Sequence, residues 1–169
     1  RNAARNTINS DTKKLLDTAL PIHSGWLQIR SVGSTNHPIE TFWAATLVAL
    51  EEHPNTQKLL KKYKKSLPQN EAELVSTWEN LFIEAKSLVD GVVIIADEMG
   101  KSLEYINKNK GELHLFQDLA EVLERIDTPV IFLGLLHQSF SEYAKERGTK
   151  LQEEWAKIQG RYNDILYNV

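Results

Sequence analysis

Apolar positions along this chain follow two rhythms, a helical spacing of three to four residues and short unbroken runs, with proline and glycine between them. Asp11 to Leu20 carries a weak helical pattern, Leu15, Leu16, Ala19 and Leu20, which Pro21 stops for want of a backbone N–H. Trp26, Leu27, Ile29 and Val32 predict a first short strand between Gly25 and the turn-like Gly33-Ser34-Thr35-Asn36. Pro38, preset for helical φ, opens an apolar helix from Phe42 to Leu50, interrupted by Thr46 and ended by His53-Pro54. Asn70 with Glu73 three residues later predicts a capped helix in which Leu74, Val75, Trp78, Leu81, Phe82, Ala85 and Leu88 recur at helical spacing.

Asp90-Gly91 closes that helix, and Val92-Val93-Ile94-Ile95-Ala96 follows, a β-branched run with no polar face that predicts a strand covered on both sides. Leu113 to Ile126 predicts an amphipathic helix, Val130 to Leu136 a second two-sided strand, and Phe140 to Tyr162 a helix with a weak point at Gly148. Strands alternating with long helices predict an α/β fold, a partial three-layer sandwich with a short parallel sheet of about three strands flanked by helices. The chain is read as a single partial domain over 1–169, helix-rich with one strand over 1–90 and carrying the candidate chemistry over 91–169.

Composition narrows the function classes. With 20 basic and 23 acidic residues the net charge is −3, so no global field draws the chain to nucleic acid or an acidic membrane. Lys58, Lys61, Lys62, Lys64 and Lys65 are spread around a helix and are read as solvating it rather than gripping phosphates. The absence of cysteine excludes disulfides, thiolate zinc sites and a cysteine nucleophile. Apolar runs stop far short of the ~20 residues of a membrane helix, and the expected location is the cytoplasm. There is no Gly-x-Ser-x-Gly or His-Glu-x-x-His pattern, and Trp26, Trp43, Trp78 and Trp155 are read as core.

In open parallel sheets ligands bind beyond the carboxyl ends of the strands, so the polar residues directly after the buried runs carry the chemistry. Asp97-Glu98 follows the first run and His137-Gln138 follows the second. If the strands are neighbours, as one right-handed crossover favours, the four side chains converge. An apolar strand ending in Asp-Glu is the Walker B arrangement: one carboxylate holds a Mg2+ that bridges phosphates, and the adjacent one orients and deprotonates the attacking water.

Val92 to Ile165, in particular Ile94-Ile95-Ala96-Asp97-Glu98-Met99-Gly100-Lys101-Ser102, Leu135-Leu136-His137-Gln138-Ser139-Phe140 and Trp155 to Ile165, resembles the ATPase core of large prokaryotic proteins of the AAA+ and STAND kind, many associated with defence against phage. The resemblance implies ATP and Mg2+ as ligands and Asp97 as the magnesium carboxylate. It makes Glu98 the catalytic base, His137 or Gln138 the sensor of the γ-phosphate, and Arg161 a candidate to reach phosphate. Implied partners are nucleotide and other domains or subunits of the same ATPase.

The family's G-x-x-x-x-G-K-[ST] loop is not found. Gly100-Lys101-Ser102 has Ile95 where the first glycine should stand, inside a buried strand, and Asp97 and Glu98 would repel a triphosphate there. Two explanations stay open: the chain is a fragment lacking the loop, in which case one sheet edge is exposed where a strand belongs, or it is a catalytically silent interaction module.

Overall fold

The computed structural model describes residues 10–19, 23–34, 37–108, 114–138, 142–143, 149–163 and 165. Helix α1 (Ser10–Ala19) precedes strand β1 (Trp26–Val32), and helices α2 (Pro38–Glu52), α3 (Gln57–Tyr63) and α4 (Glu71–Ala85) lead to β2 (Gly91–Asp97). Helices α5 (Met99–Lys108) and α6 (His114–Arg125) lead to β3 (Val130–Gly134), and α7 (Thr149–Gln159) follows. The sheet has three parallel strands in the order β1-β2-β3. The fold is α/β with a short parallel sheet flanked by helices, as the alternation of runs and periodic segments requires.

Local signals set the helix ends. His37 accepts the Ile39 N–H through its side chain, and Pro38 occupies the first turn of α2, where its missing N–H costs nothing. At α4 the Asn70 side chain accepts the Glu73 N–H at 2.9 Å while the Glu73 carboxylate accepts from the Asn70 amide and from the Gln69 N–H. Such caps contribute about 1 kcal/mol each.

Coverage of the two sheet faces is unequal, which corrects the expectation of strands covered on both sides. In parallel register Leu27, Ile29 and Ser31 stand beside Val92, Ile94 and Ala96, and all six are buried. The opposite face carries Gln28, Arg30 and Val32, all exposed, the half-buried Val93 and Ile95, and Ile131 and Leu133, 38% and 43% exposed. The reason is topological. Both crossovers step in the same direction across the sheet, and right-handed crossovers of that kind lay their helices on one face.

The core between that face and the helices is aromatic at its centre. Trp78, Phe42 and Phe82 are buried, with Phe42 edge-on to Trp78 at 5.5 Å and Phe82 stacked on it at 6.1 Å. Trp26 and Trp43 are buried as the sequence predicts, while the Trp155 side chain lies outside the described residues. Trp78 donates its indole N–H to Thr46 at 2.9 Å, and Thr46 donates to the Phe42 carbonyl at 2.8 Å. Thr46, the one interruption in the apolar run of α2, is therefore the partner of a buried indole. Among the described residues no buried side-chain polar atom lacks a hydrogen bond. Arg125 ties α6 to α4 through a two-pronged pair with Glu79, at 2.9 and 2.7 Å.

Candidate functional site

The rim of the sheet is built where β2 ends. Asp97 pairs in register with Val32, and Ala96 with Gly134. Beyond β3 the Leu135 N–H donates to the Ala96 carbonyl at 2.9 Å, and the Met99 N–H donates to the Leu135 carbonyl at 3.0 Å. These two bonds staple the residues after β3 to the turn after β2, which carries the two polar doublets to neighbouring strand tips.

Glu98 makes that turn with φ of +49°, the sole non-glycine residue with positive φ among those described. Its carbonyl accepts the Lys101 N–H at 2.9 Å, so α5 starts at once. Left-handed backbone at a bulky residue is uncommon and persists where its surroundings over-determine it. Here the neighbour is Gly33: its N–H donates to the Asp97 carbonyl at 2.7 Å, and a Cβ on it would be driven into the Glu98 carbonyl oxygen.

The carboxylates of the doublet have different surroundings. Asp97 is exposed and caps the turn through one oxygen, which accepts the Glu98 N–H at 2.8 Å. Glu98 accepts from the Lys101 ammonium at 2.5 Å. That hydrogen bond and the Lys101 charge hold the Glu98 carboxyl below its ordinary range against some burial, with a further contribution from His137. His137 therefore lies near enough to Glu98 to contribute to that lowering.

Gln138 turns elsewhere. The buried Tyr143 lies against Gly100, its hydroxyl where a Cβ on that glycine would stand. Burial first and the Glu104 charge second push the Tyr143 hydroxyl up, opposed by hydrogen bonds with the His137 backbone and the Gln138 side chain. Arg161 is not joined to the doublets: its guanidinium pairs with Glu121 of α6 at 3.0 Å. It lines a recess of about 700 Å³ beside β3 whose walls include Met99, Leu123, Phe132, Leu135 and Tyr162. Gly100 and Ser102, both buried, belong to the first turns of α5, so Gly100-Lys101-Ser102 is not an open phosphate loop.

Sequence reasoning missed Lys101 as the partner of Glu98, although the spacing of three was a usable signal. It also missed a cluster at the starts of α2, α4 and α6. There the Glu71 carboxylate accepts the Leu115 N–H at 3.1 Å, and burial pushes its carboxyl up against that bond and the nearby His114 and His37. The His37 ring stands edge-on to Tyr105 at 5.4 Å.

No family model, curated protein or solved structure matches the chain. The site stands on its own geometry. Among the described residues no group of three or more histidine, aspartate or glutamate side chains is placed to hold a metal ion. Among the described residues one Asp97 carboxylate oxygen has no hydrogen-bond partner, so it could serve as a ligand to an ion such as Mg2+ that takes one or two carboxylates beside water. No helix among the described residues is long and apolar enough to cross a membrane.

Proposed function

We propose that this chain is a segment of a P-loop ATPase core of the AAA+ and STAND kind, acting in the cytoplasm with nucleotide and with other domains or subunits of the same ATPase. One observation carries the reading: an acidic doublet and an imidazole-bearing doublet follow adjacent parallel strands whose ends are tied together by the Leu135–Ala96 and Met99–Leu135 backbone hydrogen bonds. In this role Asp97 contributes an oxygen to Mg2+, which when bound with ATP neutralises charge on the phosphates. Glu98 orients the attacking water and accepts its proton. His137 or Gln138 contacts the γ-phosphate or that water, and Arg161 joins them only after leaving Glu121. Glu98 must likewise exchange Lys101 for water before it works as a base.

A second reading, a catalytically silent interaction module, is favoured by the engagement of Glu98 by Lys101 and of Arg161 by Glu121. Calorimetry and turnover separate the two. The 169-residue chain is expected to bind Mg-ATP no more tightly than about millimolar, since it lacks a phosphate loop. In the full-length protein, Glu98→Gln is expected to keep ATP binding and abolish turnover. Undiminished hydrolysis by that variant would remove Glu98 from the mechanism, and a full-length protein that neither binds nor hydrolyses ATP is the silent module.

A further inference from the structure

We propose that the lysines of α3 form a sequence-independent contact to the phosphate backbone of double-stranded DNA, independently of whether the rim binds nucleotide. All five, Lys58, Lys61, Lys62, Lys64 and Lys65, are exposed, as the sequence predicts. Their arrangement corrects the reading that they are spread around the helix. Lys64 has αR backbone and donates its N–H to the Leu60 carbonyl at 2.8 Å, so the helical path runs on past Tyr63. Lys58, Lys61, Lys62 and Lys65 then recur at the i, i+3, i+4, i+7 spacing of one face, with Lys64 at its flank. Leu59 and Tyr63, on the other side, are buried in the core.

What sets this face apart is its lack of carboxylates. Elsewhere Arg30, Arg125, Arg161, Lys86 and Lys101 each pair with one, Glu52, Glu79, Glu121, Asp127 and Glu98 in turn. On α3 only Lys62 does so, through Glu84 at 2.6 Å. Among the described residues no carboxylate pairs with Lys58, Lys61, Lys64 or Lys65. The helix itself gains little from the crowding. Lys61 and Lys62 suit its last turn, but Lys58 stands in the first, where the macrodipole disfavours a cation. Like charges four residues apart, Lys58 with Lys62 and Lys61 with Lys65, also repel. A polyanion laid along the face relieves both.

The surroundings choose among anionic partners. Docking on a lipid surface needs an apolar face beside the charge, but Leu59 and Tyr63 are turned inward and Leu67 is the one exposed apolar side chain between positions 57 and 67. Single strands are held by bases stacked on exposed aromatic rings, and the aromatic residues here, Tyr63 and Trp43, are both buried. Double-stranded RNA is read by contacts that span about 16 base pairs, whereas the stripe from Lys58 to Lys65 is about 10 Å long. What remains is the charge of the DNA duplex, one negative charge per roughly 1.7 Å of axis, which ammonium groups meet as point charges without reading bases. With a net charge of −3 on the whole chain the attraction is local and therefore weak.

The test uses the 169-residue chain and a fluorescein-labelled DNA duplex of about 20 base pairs at low salt. Anisotropy should report binding no weaker than about 100 µM, and log affinity should fall against log salt with a slope of about −3.6, the release expected from Lys58, Lys61, Lys64 and Lys65 together. Lys58→Gln/Lys61→Gln/Lys65→Gln should weaken binding by about ten-fold or more and bring the slope to about −0.9, while arginine at the same three positions should keep both. Lys86→Gln, away from the stripe, should stay within about two-fold of wild type. In the wild-type chain, amide shifts on adding the duplex should centre on residues 58–65. No binding up to about millimolar duplex, unchanged affinity and slope in the glutamine variant with an intact thermal transition, an equal loss in Lys86→Gln, or shifts centred elsewhere would each overturn the proposal. So would tighter binding to double-stranded RNA, to single strands or to phosphatidylserine vesicles than to the DNA duplex.

Discussion

Gly33 lies against the peptide of Glu98, donating its N–H to the preceding carbonyl, that of Asp97, at 2.7 Å and leaving no room for a Cβ beneath the Glu98 carbonyl. The end of β1 therefore fixes the left-handed turn that starts α5. Gly33→Ala is expected to push the turn off the strand tip and to destabilise the fold by about 1–3 kcal/mol, the usual cost of overpacking. Urea denaturation together with the backbone shifts of Glu98 and His137 checks this. Stability and shifts both at wild-type values would show that the contact imposes nothing.

Lys101 and Glu98 form the next test. The Lys101 hydrogen bond and charge hold the Glu98 carboxyl low, so Lys101→Met should let it rise toward the ordinary glutamate value of about 4.3. His137→Gln should raise it by less, since His137 is the weaker of the two influences. Carbon-13 titration of the side-chain carboxyl reads both. An unmoved titration in the Lys101 variant would mean that the ion pair does not persist in solution.

Thr46 offers a test of the core. Thr46→Val keeps the shape but removes the acceptor of the buried Trp78 indole N–H, and the orphaned donor should cost about 1–3 kcal/mol. Thr46→Ser keeps the hydroxyl and should lose less. If valine were as stable as threonine in chemical denaturation, the hydrogen bond would add nothing beyond packing.

Asp90 sets a pH dependence. Burial lifts its carboxyl, but the N–H groups of Ser24, Gly25 and His23, at 2.7 to 3.0 Å, outweigh this and hold it below its usual value. A depressed folded pKa means stabilisation that is complete above the unfolded value of about 3.9 and is lost as pH falls through the lower folded value. Glu79 and Glu84 are depressed too, by Arg125 and Lys62, so the difference between proteins isolates Asp90. Asp90→Asn should lower stability at neutral pH and make the acid loss shallower. Parallel stability curves for variant and wild type from about pH 7 to about pH 2 would refute the assignment.

Much of the fold was legible because its causes are local. The cap of α4 by Asn70 and Glu73, the entry of α2 at Pro38, the β-branched run of β2 and the solvated lysines of α3 each depend on residues a few positions apart. The adjacency of β2 and β3 was legible too, since one crossover joins them, and with it the nearness of Glu98 and His137.

The rest depended on contacts between distant segments. That Ile131 and Leu133 stay exposed follows from the direction of both crossovers, which a β-branched run cannot encode. That Gln138 meets Tyr143, that Arg161 is held by Glu121, and that Gly33 lies under Glu98 are matters of which elements pack together. Composition and spacing thus determined the three strands, most of the helices and the chemical character of the rim, because backbone preference and amphipathic period act over a few residues, while the helix Met99–Lys108 went unread and the helix expected over Phe140 to Tyr162 is Thr149–Gln159 among the described residues. Only the packed chain decided which charged groups neutralise one another and which face of the sheet is left exposed, because those outcomes turn on distances between residues far apart in sequence.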